Sequence, residues 1–326
     1  MSGTESTAMP DSPGPIPGAH AEGSPASRPA ALPWGRLVYW SVLRELWEHR
    51  WCYIVPLIVA AVYLVGFAIG AARFPLPLLQ DFLRTGAMPH VKVVGARLLE
   101  APFDGASLTL MFTYLVVAVI YCLSALHSER SDRSILFWKS LPVSDTTTVV
   151  AKALFPVVLL PLITFVITVL THGVMLMLGS AVLLARGVHV GALWAQIPLP
   201  PMWVALLYHL VTVHALYWAP IYGWLLLVSA WARRAAFLWA VLPVAAVLIL
   251  EKLIFNTSVF ARLLLSQLNG GEAAVPYRPG GAMTMQVPTL ANLGAFLVSP
   301  GLWIGLAVFA AFLAGAVWLR RRQGPI

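Results

Sequence analysis

Charge is what this sequence has least of. Only 10% of its 326 residues are Asp, Glu, Lys or Arg and 60% are apolar, where ordinary globular domains carry about a quarter charged residues. A soluble fold could not cover that much apolar surface; lipid leaves no such need. Cysteine is nearly missing. Cys52 and Cys122 both fall inside apolar runs, which excludes a disulfide framework and a cysteine-based zinc site and leaves them a packing role.

Sites for chemistry are scarce too. No G-x-x-x-x-G-K-[ST] phosphate loop, H-E-x-x-H or G-x-S-x-G occurs, and no pair of carboxylates clusters within an apolar run. The chain is therefore not expected to be an enzyme, to bind ATP itself or to carry a cofactor or metal. The ionisable residues at mid-membrane depth are His172, His209 and His214. His209 and His214 stand five apart and point from different helix faces, which weakens a metal site. Neutral histidines hydrogen-bonded between helices are expected. Glu251 and Lys252 belong at an interface.

A basic patch is lacking as well. The formal charge is +8, but the basic residues are scattered over the ends of the apolar runs. That distribution suits lipid headgroups and topology signals, and argues against nucleic acid as a partner. Residues 1–33 are rich in Pro, Gly, Ser and Ala, and read as a disordered cytoplasmic tail. They lack the basic start and apolar stretch of a cleavable signal peptide, so the first span is expected to act as its own insertion signal.

What the chain does have is long apolar runs. Trp51–Ala72 holds no charge over 22 residues, enough to cross a hydrocarbon core about 30 Å thick. Further spans are expected at 106–126, 153–185, 201–232, 235–255 and 300–319. The third and fourth are long for one crossing and short for two. Each reads as one bent helix, the third kinked near Pro156 and Pro161 and the fourth near Pro220 or Gly223. Arg73–Gly105 reads as a polar connection, and 256–299 as an outer loop with a short helix at 258–268. The fold class is all-α: a polytopic integral membrane protein of about six transmembrane helices. Thirteen of the 21 Lys and Arg residues lie on the inner side when both termini are cytoplasmic, the orientation the positive-inside rule favours.

Ahead of the first span, Trp34–Arg50 is amphipathic. Tyr39, Val42, Leu43, Leu46 and Trp47 share one face; Ser41, Arg44, Glu45, Glu48 and His49 share the other. It reads equally as a helix in the headgroup plane or as an extension of the first span.

The inner segment 127–152 is the informative one. Glu129, Arg130, Asp132 and Arg133 are charged; Ile135, Leu136, Phe137, Trp138 and Leu141 are bulky and apolar; Pro142 ends the pattern. Ser144 or Asp145 then caps the next helix. A short helix is expected with Phe137 and Trp138 as anchors for a partner groove and Arg130, Arg133 and Lys139 at its rim. An aromatic belt in the headgroups is the competing reading.

The run Ser134-Ile-Leu-Phe-Trp-Lys-Ser-Leu-Pro-Val-Ser-Asp145, with Glu129 before it and Lys152 after it, resembles the first cytoplasmic loop of ATP-binding-cassette type-2 permeases. The Gly-Thr pair common there is Arg133-Ser134 here. The resemblance implies a bacterial inner-membrane exporter subunit: residues 34–50 an interface helix, 51–326 the permease domain, and 127–152 a coupling loop. It implies coupling through Glu129, Arg130, Asp132, Arg133, Phe137, Trp138, Lys139, Leu141, Pro142 and Asp145. The partners would be a cytoplasmic ATPase subunit, which holds ATP and Mg, a second permease half, identical or related, and membrane lipid. The alternative is a non-transporting membrane scaffold or regulatory subunit.

Overall fold

The computed structural model describes residues 33–75, 89–140, 143–187, 190–191, 197–271 and 289–322. The proline-rich tail lies outside them. Among the described residues the chain is helical, with no strand. Six helices are long and apolar enough to cross a bilayer, as expected of a multi-pass membrane protein.

Helix α1 is Trp34–Glu48. The first long apolar helix, α2, is Trp51–Arg73, close to the run read from the sequence. The second, α3, starts at Pro89 and continues to Ala125. The polar connection expected over Arg73–Gly105 is thus partly helical. Charged residues end an apolar window without ending a helix, whose backbone bonds are independent of side-chain polarity.

The long third run is one bent helix, as the sequence suggested. It comprises α6, Asp145–Leu154, a π-helical turn at Phe155–Leu159, and α7, Leu160–Ala185. The prolines cause the turn. The Leu160 amide reaches back five residues to the Phe155 carbonyl. In that register the Pro156 carbonyl would need the amide of Pro161, and proline has none.

The fourth run also bends once. Helix α8, Leu199–His209, passes through a π-helical stretch, Leu210–Tyr217, into α9, Ala219–Trp231. The break lies at Trp218, ahead of Pro220. The two π-helical segments lie side by side. Between them the buried Tyr114 and Tyr222 hydroxyls meet at 3.0 Å; Tyr114 donates to the Pro156 carbonyl at 2.9 Å and Tyr222 to the His214 carbonyl at 2.9 Å. Carbonyls displaced from the regular ladder are thereby satisfied by side chains, as a lipid-immersed bundle requires.

Helix α10, Ala236–Leu250, continues to Phe255 and lies at the periphery with most of its side chains exposed. Helix α11, Val259–Leu268, falls where a short helix was expected. Glu251 holds its start, accepting from Thr257 Oγ1 and the Phe260 amide. Helix α12, Leu290–Val298, begins at a Thr289–Asn292 capping box and was not anticipated. The last helix, α13, is Pro300–Arg322. It lies along α9, where Gly223 leaves room for Phe309.

His172 links three helices as a neutral imidazole. Its Nε2 lies 3.0 Å from the Phe103 carbonyl, which can only accept, and its Nδ1 accepts from Trp203 Nε1 at 3.1 Å. Cys52 and Cys122 are buried free thiols.

Candidate functional site

Segment 127–152 is anchored to the end of the bundle at its base and exposed at its tip. The amides of Leu126 and His127, at the start of the next short helix and so without an intrahelical partner, donate to Ser229 Oγ at 3.0 and 2.9 Å. One short helix follows, α4, His127–Ser131. Arg133 then takes a left-handed conformation with φ 58°, and α5, Ile135–Ser140, follows. Ile135 is buried, whereas Leu136 and Phe137 are each 59% exposed. Of the two candidate caps, Ser144 is the one used: its hydroxyl accepts from the Thr147 amide at 3.1 Å.

Beneath this segment runs a chain of buried ion pairs. Lys152 Nζ lies 2.8 Å from Glu45 Oε1 and 3.1 Å from Glu129 Oε1. The other Glu129 oxygen pairs with Arg320 Nη1, and Arg320 Nε reaches Asp145 Oδ1 at 2.9 Å. Tyr121 donates to Glu45 Oε2 at 2.9 Å, and Arg44 meets Oε1 at 2.9 Å. Glu45 is 0% exposed, Lys152 1%, Arg320 4% and Glu129 6%. Four parts of the chain meet here: α1, the end of the second long helix, the start of the third, and the end of the last.

The electrostatics follow from that burial. Desolvation pushes the Glu45 carboxyl up, but Lys152, by charge and hydrogen bond, and then Arg44 outweigh it, holding Glu45 at about 2 against an ordinary 4.5. Glu48 is raised, first by burial and then by the neighbouring Glu45 charge. Burial lowers His49 below its ordinary 6.5 despite the pull of Glu45. Glu45, Glu48 and His49 approach within 4.8 Å of one another. Their donor set suits a metal poorly, because Lys152 and Arg44 already cover the Glu45 oxygens with positive charge.

The expected coupling residues divide into two groups. Asp132, Arg133 and Phe137 are exposed. Glu129 and Asp145 instead belong to the ion-pair chain. Arg130, expected at the rim, is buried at 6% exposure and donates to the Ala230 carbonyl at 2.6 Å. The reason lies in a distant part of the chain: the end of α9 offers bare carbonyls, which a guanidinium beside it satisfies. Leu141 and Pro142 lie outside the described residues, as do the side chains of Trp138 and Lys139.

Glu45 and Arg320 were not singled out in the sequence. Glu45 sits on the polar face of α1, yet it is Val38, Ser41 and Glu45 that are buried. Trp34, Tyr39, Trp40 and Trp47 are exposed instead. Arg320 looked like one of three topology-setting arginines, but Arg321 and Arg322 are exposed while Arg320 is not. A faint signal existed: single charges at the inner borders of apolar runs, of both signs, on separate segments.

Comparison of the chain with family models, with curated proteins and with solved structures finds no match in any of the three.

Proposed function

We propose that this chain is the membrane-spanning permease subunit of an ATP-binding-cassette exporter, driven by a separate ATPase that grips the 127–152 segment from the cytoplasm. One observation carries the reading: the segment has an exposed apolar tip, Leu136 and Phe137, on a base ion-paired to α1 and α13. In this reading a push on the tip is passed to α1 and α13 through the Glu129–Lys152–Glu45 and Glu129–Arg320–Asp145 contacts. In the proposed cycle ATP closes the ATPase dimer, the tip follows, and the long helices re-pack around it to open a path outward. ATP and Mg stay with the partner, and a second permease half completes the path. In this reading both termini are cytoplasmic in a bacterial inner membrane, and α1 rests its exposed tryptophans among the headgroups.

The test is reconstitution. The chain is co-purified with a cytoplasmic phosphate-loop ATPase encoded beside it, and ATP turnover is compared between the native complex and Phe137→Ala/Trp138→Ala. Loss of assembly or of stimulated turnover supports the reading, and unchanged assembly and turnover remove it. Assembly with normal turnover but no vesicle transport would favour a scaffold.

A further inference from the structure

At the end of the bundle remote from the ion pairs, α2, α3 and α7 enclose a cavity of about 820 Å³, within the roughly 300–1,000 Å³ of small-molecule sites. Its walls include Tyr63, Phe67, Phe103, Met175 and Leu176. Tyr63 is the single residue with a polar side chain among the described lining, and its hydroxyl is committed to the Pro102 carbonyl at 2.7 Å. Water in such a space needs about two to four polar partners, of which these predominantly apolar walls supply few. Gly66 and Gly70, one turn apart, leave one flank open: a Cβ at either would meet nothing within 4 Å. The flank also carries Val62, 68% exposed near the middle of the apolar helix α2. Two cations sit where α2 ends. Arg73 is exposed, and Arg186 donates to the Ala72 and Phe74 carbonyls, the latter at 2.8 Å. An apolar slot at acyl depth beside two guanidiniums matches one class of molecule, apolar in its tail and anionic at its head.

The geometry points to a phospholipid site: one acyl tail lies in the cavity between α2, α3 and α7, with its phosphate at Arg73 and Arg186. This site is separate from the coupling segment and does not depend on the exporter reading.

The test uses the full chain in vesicles containing phosphatidylglycerol with a diazirine near the tail end. After illumination, adducts are mapped by mass spectrometry. Labelling is expected on peptides covering 62–74 and 175–183, roughly tenfold above the lipid-facing α10. Excess unlabelled phosphatidylglycerol should compete it away there and not on α10. Gly66→Leu/Gly70→Leu fills the slot and should abolish the excess, whereas Val247→Leu on α10 should not. A diacylglycerol probe, lacking phosphate, should label the slot no more than α10. Equal labelling of slot and α10 by the phospholipid, or equal labelling of the slot by both probes, would overturn the assignment. Competition in the unmutated chain keeps the result readable even if the double variant folds poorly.

Discussion

Lys152 Nζ bonds both carboxylate oxygens of Glu45, at 2.8 and 3.0 Å, across 107 residues of chain. The pair joins a helix outside the long apolar runs to the start of the third. Such a contact adds little net stability, because taking both ions out of water costs about what their attraction returns. What it does strongly is punish disruption.

Removing one partner leaves the other buried and short of a counter-charge, Lys152 with only Glu129 and Glu45 with only Arg44, at a cost of up to about 3–5 kcal/mol. Lys152→Met and Glu45→Gln should each lower the unfolding midpoint of the detergent-solubilised protein sharply. The double variant should be markedly more stable than the sum of the two losses. A strictly additive double variant would mean that the contact does not couple α1 to the bundle.

The same carboxylate sets an acid limit. Glu45 is held at about 2 when folded, below its ordinary 4.5, so the unfolded chain takes up its proton first as pH falls. Its contribution is full above about pH 4.5 and is lost towards pH 2. His49 acts earlier and in the same direction. Its folded value lies below 6.5, so the unfolded chain gains a proton there while the folded chain stays neutral. Unfolding midpoints of the native protein should therefore fall in two stages below neutral pH. His49→Gln should flatten the first stage and Glu45→Gln the second. A midpoint flat from pH 7 to 3 would contradict both.

The π-helical turn gives a cleaner test. Tyr114 covers the Pro156 carbonyl because Pro161 supplies no amide. Tyr114→Phe should cost about 0.5–1.7 kcal/mol, the range for an interhelical hydrogen bond in a membrane bundle. In a Pro161→Ala background the helix can satisfy that carbonyl itself, so the same change should cost less. A double-mutant cycle on thermal stability measures the difference. No coupling between positions 114 and 161 would refute this account of the turn.

Much of this architecture was readable from residues alone. Runs such as Trp51–Ala72 marked the long helices because lipid selects against charge at every face, so register hardly matters. The bend at Pro156 and Pro161 was legible because proline acts locally. The facing of α1 was not: Glu45 turns inward because Lys152 and Tyr121 await it, and neither is near in sequence. For the same reason Arg320 could not be told from Arg321 and Arg322. Segment 127–152 shows both sides of the limit. One short helix and a cap at Ser144 or Asp145 follow from local rules, while the inward turn of Arg130 depends on the carbonyls of Ala230 and Ala232.

Arg133 is a local departure with a measurable cost. Its φ of 58° lies in the left-handed region, which costs a residue with a Cβ about 1–2 kcal/mol and glycine little. Arg133→Gly should raise the unfolding midpoint or leave it level, although it removes a charged side chain and adds a flexible residue. Arg133→Val, β-branched at the same position, should lower it clearly. If glycine destabilised as much as valine, the arginine side chain rather than the backbone would be what the turn needs.

Gly223 tests whether the last helix must lie where it does for Arg320 to reach Glu129. A Cβ there would stand 2.8 Å from Phe309 Cδ2, 3.2 Å from Phe312 Cβ and 3.4 Å from the Phe309 backbone. The aromatic ring can move, but the backbone of α13 cannot without shifting the helix. Gly223→Leu should therefore cost about 1–3 kcal/mol by overpacking and carry α13 away from α9. Arg320 would then leave Glu129, so Arg320→Met should cost less in the Gly223→Leu background than in the native chain. Gly223 and Arg320 lie at different heights of the bundle and share no direct contact. Non-additivity between them would show that the position of α13 is transmitted along its length to the ion pairs. Strict additivity would show that α13 bends locally at Phe309 and leaves the charged end undisturbed.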